Sequence, residues 1–359
     1  MAELRWGSAS DAGQLRPDNE DNVLASDGVF VVADGMGGHE AGEVASELAI
    51  DRIAAALEEH ELPTATNVVE AITTANGDIF RASITNPGQR GMGTTVTAIA
   101  VIADPLAGRG EPNIDENDPA TKPVIVPVHP SEALVLANVG DSRTYLMRHG
   151  RLRRVTTDHS YVQELVATGH ITEDEARTHP RRNIVTRALG IDPDVKVDWW
   201  TLPLIRGDRF LLCSDGLVDE ITDGEITATL LGSTDPQEAA DRLVRQANDA
   251  GGRDNVTVVV VDVLAGDEPP HPTLEIDIIP KWADDGAGPT AAGLAAVDAD
   301  PEDAVDAETA AAPSTEQKKR RRWRRVLVTI VVAALLIVGF AVFAAWARAG
   351  YFIAFDEDG

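Results

Sequence analysis

Four aspartates stand where apolar runs end: Asp34 in VFVVADGMGG, Asp141 in LVLANVGDSR, Asp215 in RFLLCSDGL and Asp254 in GGRDNVTVVVV. An aspartate beside a glycine is ordinarily a turn residue, so each has two readings, turn cap or cation ligand. Carboxylates converging at the ends of buried strands repel one another unless a cation lies between them. The donors are oxygens, the chain has one cysteine and it lacks an H-E-x-x-H pair. Such a set selects Mg²⁺ or Mn²⁺ over Zn²⁺. The glycines after Asp34 would let backbone approach a ligand closely. Cys213 is not placed as a nucleophile, because a C-x5-R phosphate-binding loop needs arginine where Asp219 stands. It reads as a small apolar core residue.

Strands must carry these carboxylates. Apolar runs predict them over 29–33, 94–103, 133–139, 144–148, 195–202, 209–214 and 255–263. Helical spacing predicts helices over 42–59, 66–84, 161–168, 222–231 and 236–250, two of them opened by capping boxes, Thr222 with Glu225 and Thr234 with Gln237. Strands follow one another without helices from 94 to 148, so antiparallel sheets are expected, with helices on the outer faces. Residues 103–132, rich in proline and acid, read as a long surface loop. The N-V-T at Asn255 opens a predicted core strand and is read as a chance match to a glycosylation sequence.

The chain of 359 residues carries a formal net charge of −28, which repels a phosphate backbone and argues against nucleic-acid binding. One cysteine excludes an internal disulfide framework and suits a reducing compartment. The first twenty residues hold no apolar leader. Residues 1–265 read as the folded domain and 266–317 as an acidic, flexible linker. Residues 318–325, KKRRRWRR, hold seven basic side chains, and 326–347 form 22 residues without a charge. That length spans a bilayer core as one transmembrane helix. Basic flanks stay cytoplasmic, so the domain is expected inside and the short tail 348–359 outside.

RPDNEDN (16–22), DGMGGH (34–39), GTT (93–95), NVGDSR (138–143), TRALG (186–190), CSDGL (213–217) and DNVT (254–257) occur in order and spacing that resemble the metal-dependent, type 2C serine/threonine protein phosphatases, in their bacterial membrane-anchored form. The resemblance covers residues 4–263. It implies an α+β fold, a four-layer α-β-β-α sandwich of two antiparallel sheets flanked by helices, with the site at one end. It implies two Mn²⁺ or Mg²⁺ ions and a possible third. Asp34 would bridge two ions, the Gly35 carbonyl would bind one, and Asp215 and Asp254 the other. Asp141 with Asp215 resembles the pair that holds the third. Glu20 would orient water, and Arg16 would hold the substrate phosphate while a metal-bridged hydroxide attacks phosphorus in line.

The expected partners are phosphoserine and phosphothreonine proteins, the Ser/Thr kinases that modify them, and the membrane. The competing readings are a catalytically inactive phosphoprotein-binding or sensory module of the same fold, and a metal nuclease, which the acidity disfavours. Met36 stands where many eukaryotic members have a histidine that could serve as general acid, and His39 comes three residues later. Residues 158–183 resemble the family's flap, read either as a connector or as a lid over the substrate cleft.

Overall fold

The run VFVV is apolar at every position, and VTVVVVDV at six of its eight, because both faces of their strands are covered. In the computed structural model, which describes residues 2–37, 41–103, 132–269 and 281–282, these runs lie inside a four-layer sandwich. The strands are β1 (Leu4–Asp11), β2 (Asp21–Ser26), β3 (Val29–Met36), β4 (Gly93–Thr94), β5 (Val96–Ala103), β6 (Glu132–Val139), β7 (Arg143–Arg148), β8 (Arg151–Arg154), β9 (Asp198–Pro203), β10 (Arg209–Cys213), β11 (Val256–Val263) and β12 (Lys281–Trp282). The helices are α1 (Ala41–Glu58), α2 (Ala65–Thr85), α3 (Tyr161–Ala167), α4 (Glu173–Arg177), α5 (Asp215–Val218), α6 (Asp223–Gly232) and α7 (Pro236–Ala250).

One sheet runs β1-β11-β10-β7-β8 and the other β12-β9-β6-β5-β3-β2, with β4 added to the end of β3; the ladders are antiparallel. Side chains alternate across each strand. Phe30, Val32, Leu134, Leu136, Phe210, Leu212, Val259 and Val261 meet between the sheets. Val31 and Val135 face the other way, onto Ile53 of α1 and Ile72 of α2. Leu211, Val258 and Val260 face α6 and α7 through Ile226 and Leu243.

Several local expectations change. The run 94–103 is broken at Thr95, whose hydroxyl and N–H serve Asp34 rather than a continuous ladder. The run 195–202 enters its strand only at Asp198. Thr222 and Glu225 make the expected capping box, but Thr234 does not: Asp235 caps α7 by accepting from the N–H groups of Gln237 and Glu238. Pro236 at the first helical position fixes that register. Strands β1, β2 and β8 were not anticipated; their burial is partial, and β8 alternates arginines with one leucine.

The chain divides into two units, Met1–Ala295 and Ala296–Gly359. Residues 104–131, His39, the run 318–325 and the apolar stretch 326–347 lie outside the described residues. Among the described residues, no helix is long and apolar enough to cross a membrane. The topology collects the aspartates: Asp34 lies two residues before the end of β3, Asp141 lies in the β6–β7 turn, Asp215 follows β10, and Asp254 precedes the antiparallel β11. All four arrive at one end of the sandwich.

Candidate active site

Arg16, Glu20, Asp34, Gly35, Asp141, Asp215 and Asp254 all line one cavity of about 270 Å³. Asp34 is held through its backbone. Its N–H donates to Thr95 Oγ1 at 3.1 Å, and its carbonyl accepts from the Thr95 N–H and the Thr94 hydroxyl, both at 2.9 Å. The GTT motif therefore acts as a bracket for Asp34. Gly35 next to it has no room for a side chain: a Cβ would strike the carbonyls of Gly42 and Glu20. Gly42 is also closely packed: a Cβ there would meet the Glu20 carboxyl at 2.8 Å and the Gly35 backbone at 3.0 Å.

The loop bearing Arg16 and Glu20 is stapled by Asn255. Its Nδ2 donates to the carbonyls of Ala12 and Asp18 at 3.0 and 2.9 Å, and its Oδ1 accepts the Glu20 N–H at 2.8 Å. Asn255 is buried, consistent with a structural place for N-V-T. The Glu20 carbonyl also accepts from Ser46 of α1 at 2.6 Å and from the Gly35 N–H at 3.1 Å. In the SDG motif, Ser214 reaches Asp21, Asp215 opens α5, and Gly216 permits close packing on the Asn255 carbonyl.

Desolvation pushes the Asp34 carboxyl well above its ordinary range, with further repulsion from Asp21, Asp215, Asp141 and Asp254. Asp215 is driven well up by desolvation and then by Asp141, Asp219 and Asp254. Desolvation raises Asp141 to about 7, with Asp158 adding to it. Glu20 is raised by its own desolvation, against the opposing pull of Arg16. Negative charge is thus crowded here beyond what the neighbouring protein neutralises. The cation on the rim is Arg16, whose Nη2 donates to Asp254 Oδ2 at 2.7 Å.

Asp21 was missed as a site residue. It sits opposite Asp34 in the β2–β3 ladder, is 7% exposed, and accepts the Ser214 hydroxyl at 2.8 Å on Oδ2, while Oδ1 has no partner. Burial pushes its carboxyl up to about 6. Its adjacency to Glu20 in the NED triplet was the available signal, since the strand start turns it inward while Glu20 remains in the loop. Cys213 is fully buried and desolvation pushes its thiol up to about 12, which suits the core role.

An oxygen-only donor set with raised carboxyls and an unpartnered buried oxygen fits hard divalent ions. Among the described residues, no three His, Cys, Asp or Glu side chains form a finished cage, and Asp254 is engaged by Arg16. The flap residues α3 and α4 border a second cavity of about 310 Å³ that shares Asp141, Asn183 and Asp215 with the first.

The family model "Protein phosphatase 2C" matches residues 8–251, the span that carries the sandwich and its carboxylate-lined end. The chain belongs to the protein phosphatase 2C family. It is 37% identical over 263 residues to the serine/threonine phosphatase stp of Listeria monocytogenes, covering 70% of this chain and 93% of that protein. The crystal structure of the Mycobacterium tuberculosis serine/threonine phosphatase PstP/Ppp superposes with a TM-score of 0.61 at 37% identity, over 73% of this chain and 99% of that one. The catalytic domain of PstP in complex with two manganese ions superposes with a TM-score of 0.59 at 36% identity, over 73% and 99% of the two chains.

Proposed function

We propose that this protein hydrolyses phosphoserine and phosphothreonine in proteins, using Mn²⁺ or Mg²⁺. The observation that supports it most is the convergence of Asp34, Asp141, Asp215 and Asp254 in one cavity, where Arg16 pairs with Asp254 and leaves the crowded charge of the others unneutralised. Asp34 would lie between two ions, the Gly35 carbonyl on one, Asp215 and Asp254 on the other, with Asp141 and Asp215 at a third. When bound, such ions acidify water and neutralise phosphate charge. Glu20, its backbone fixed by Asn255, Ser46 and Gly35, would orient the attacking water by accepting its hydrogen bond. Every carboxylate is present, which weighs against the inactive module. The test is hydrolysis of a phosphothreonine peptide with Mn²⁺; full turnover in excess chelator would refute metal dependence.

Arg16 would change partners during the cycle. Its side chain is 49% exposed, and an ion pair this open is weak enough for phosphate to compete. Its planar fork suits two phosphate oxygens. Arg16→Ala is expected to raise KM for the phosphopeptide about tenfold or more, with Arg16→Lys recovering little of it. Unchanged kinetics in Arg16→Ala would assign the residue to the Asp254 ion pair alone.

We further propose that residues 1–265 form the catalytic domain, 266–317 a linker, 318–325 a basic juxtamembrane segment, and 326–347 a single membrane span. The seven basic residues on one side support a cytoplasmic domain and an outer tail 348–359, with the enzyme opposing Ser/Thr kinases at the cytoplasmic face. In a Cys213→Ser background, a cysteine at position 355 should react with an impermeant maleimide on intact cells, and one at position 300 should not. The reverse pattern would overturn the orientation.

A further inference from the structure

Behind Asp141 lies a buried charged group that the hydrolysis above leaves unused. His159 and Asp198 are 7% and 4% exposed. His159 Nδ1 accepts the Gly140 N–H at 2.9 Å, and His159 Nε2 lies 3.2 Å from Asp198 Oδ2. A backbone N–H only donates, so Nδ1 is unprotonated and the neutral ring carries its proton on Nε2, facing Asp198. Arg187 of the TRALG motif donates from Nη1 to Asp198 Oδ1 at 2.6 Å and to the Lys196 carbonyl at 3.1 Å; the same Nη1 lies 2.9 Å from Nε2, an approach of two donors held together by their shared acceptor Asp198 and not a hydrogen bond.

A carboxylate behind an imidazole fixes its tautomer and orientation, usually so that the far nitrogen can serve a metal or a proton transfer. Here the far nitrogen is aimed at a peptide group. Gly140 is gripped on every side: its carbonyl accepts from the His159 N–H at 2.9 Å and from Asn138 Nδ2 at 3.3 Å, its φ is +111°, and a Cβ would collide with Thr95. The next residue is Asp141. The Gly140 peptide therefore sets the backbone from which the Asp141 carboxylate projects.

We propose that His159, oriented by Asp198, is the positioning residue for Asp141 and sets the affinity of the cation site that Asp141 helps to form. This rests on reading Asp141 as a ligand. Two substitutions separate positioning from support. In His159→Asn, the side-chain carbonyl occupies the Nδ1 position and still accepts from Gly140. In His159→Gln, the amide reaches the Nε2 position and keeps Asp198, but leaves Gly140 without its acceptor.

Mn²⁺ bound per folded full-length chain, counted by electron paramagnetic resonance, is the readout. His159→Gln is expected to weaken the Asp141-dependent class of sites about 10- to 100-fold, the usual effect of losing an outer partner, and His159→Asn to stay near wild type. Wild-type binding in His159→Gln, or equal loss in both variants, would overturn the proposal. Asp141→Asn separates the two levels: if it loses no Mn²⁺, the ligand reading falls and the proposal with it; if it loses a site and His159→Gln does not, only the positioning role falls. Should both histidine variants fail to fold, ¹⁵N-histidine spectra of the unaltered chain decide. The expected His159 ring has its proton on Nε2 and responds to Mg²⁺; a proton on Nδ1 would refute the arrangement.

Discussion

Asp34→Asn is expected to abolish phosphopeptide hydrolysis while making the metal-free protein harder to melt. Loss of an outer partner commonly costs about 10- to 100-fold, and on the proposed reading Asp34 would serve two ions at once, so turnover should fall by roughly a thousandfold or more. The stability change has the opposite sign. Asp34 is desolvated and repelled by Asp21, Asp215, Asp141 and Asp254, and a neutral amide of the same shape removes that repulsion. A gain of about 1 kcal/mol corresponds to roughly 2–4 °C in a domain of this size. Calorimetry in chelator should show the rise, and added Mn²⁺ should stabilise wild type far more than the variant. A variant that melts lower in chelator, or keeps a tenth of wild-type turnover, would contradict this role.

The pH dependence of stability should reverse when metal is added. Asp21 titrates at about 6 and Asp141 at about 7, and Asp34 and Asp215 are pushed up further by desolvation and mutual repulsion. Unfolded aspartates titrate at about 3.9. Between these limits the folded metal-free state holds more protons than the unfolded one. The stability these carboxyls contribute is therefore complete below about pH 4 and is lost as pH rises through about 6 and 7. A tenfold difference in proton affinity between the folded and unfolded chain is worth about 1.4 kcal/mol, so the slope should be plain in urea titrations. Metal binds the deprotonated carboxylates and releases protons. Saturating Mn²⁺ should therefore make stability rise with pH over the same interval. Slopes of one sign in both conditions would show that these carboxylates are not the metal's donors.

The antiparallel sandwich and the seven cavity residues were legible because each Asp closes an apolar run and because the motifs fall in a fixed order. Helix α7 was placed to the residue, since its apolar spacing is flanked by Pro236 and Gly251. What escaped was of another kind. β1 and β2 are partly buried and mix Arg5, Ser8 and Asn22 with apolar residues, so no run of theirs stands out. The interruption at Thr95 depends on a hydrogen bond to a residue 61 positions away. Asp21 and His159 draw their meaning from β3, β9 and the β6–β7 turn, which only the folded chain brings beside them.

The β5–β6 ladder runs unbroken from Val96↔Val139 to Ala103↔Glu132. Its last rung lies about 26 Å of strand from Thr95 and the cavity. A cut at that rung would place Glu20 and Asp34 on one polypeptide and Asp141, Asp215 and Asp254 on the other. Neither fragment owns the carboxylate set, and each leaves an unpaired strand edge that the other fits. Fused to two unrelated proteins, the halves would constitute a split reporter: phosphate release would signal that the fused proteins had met.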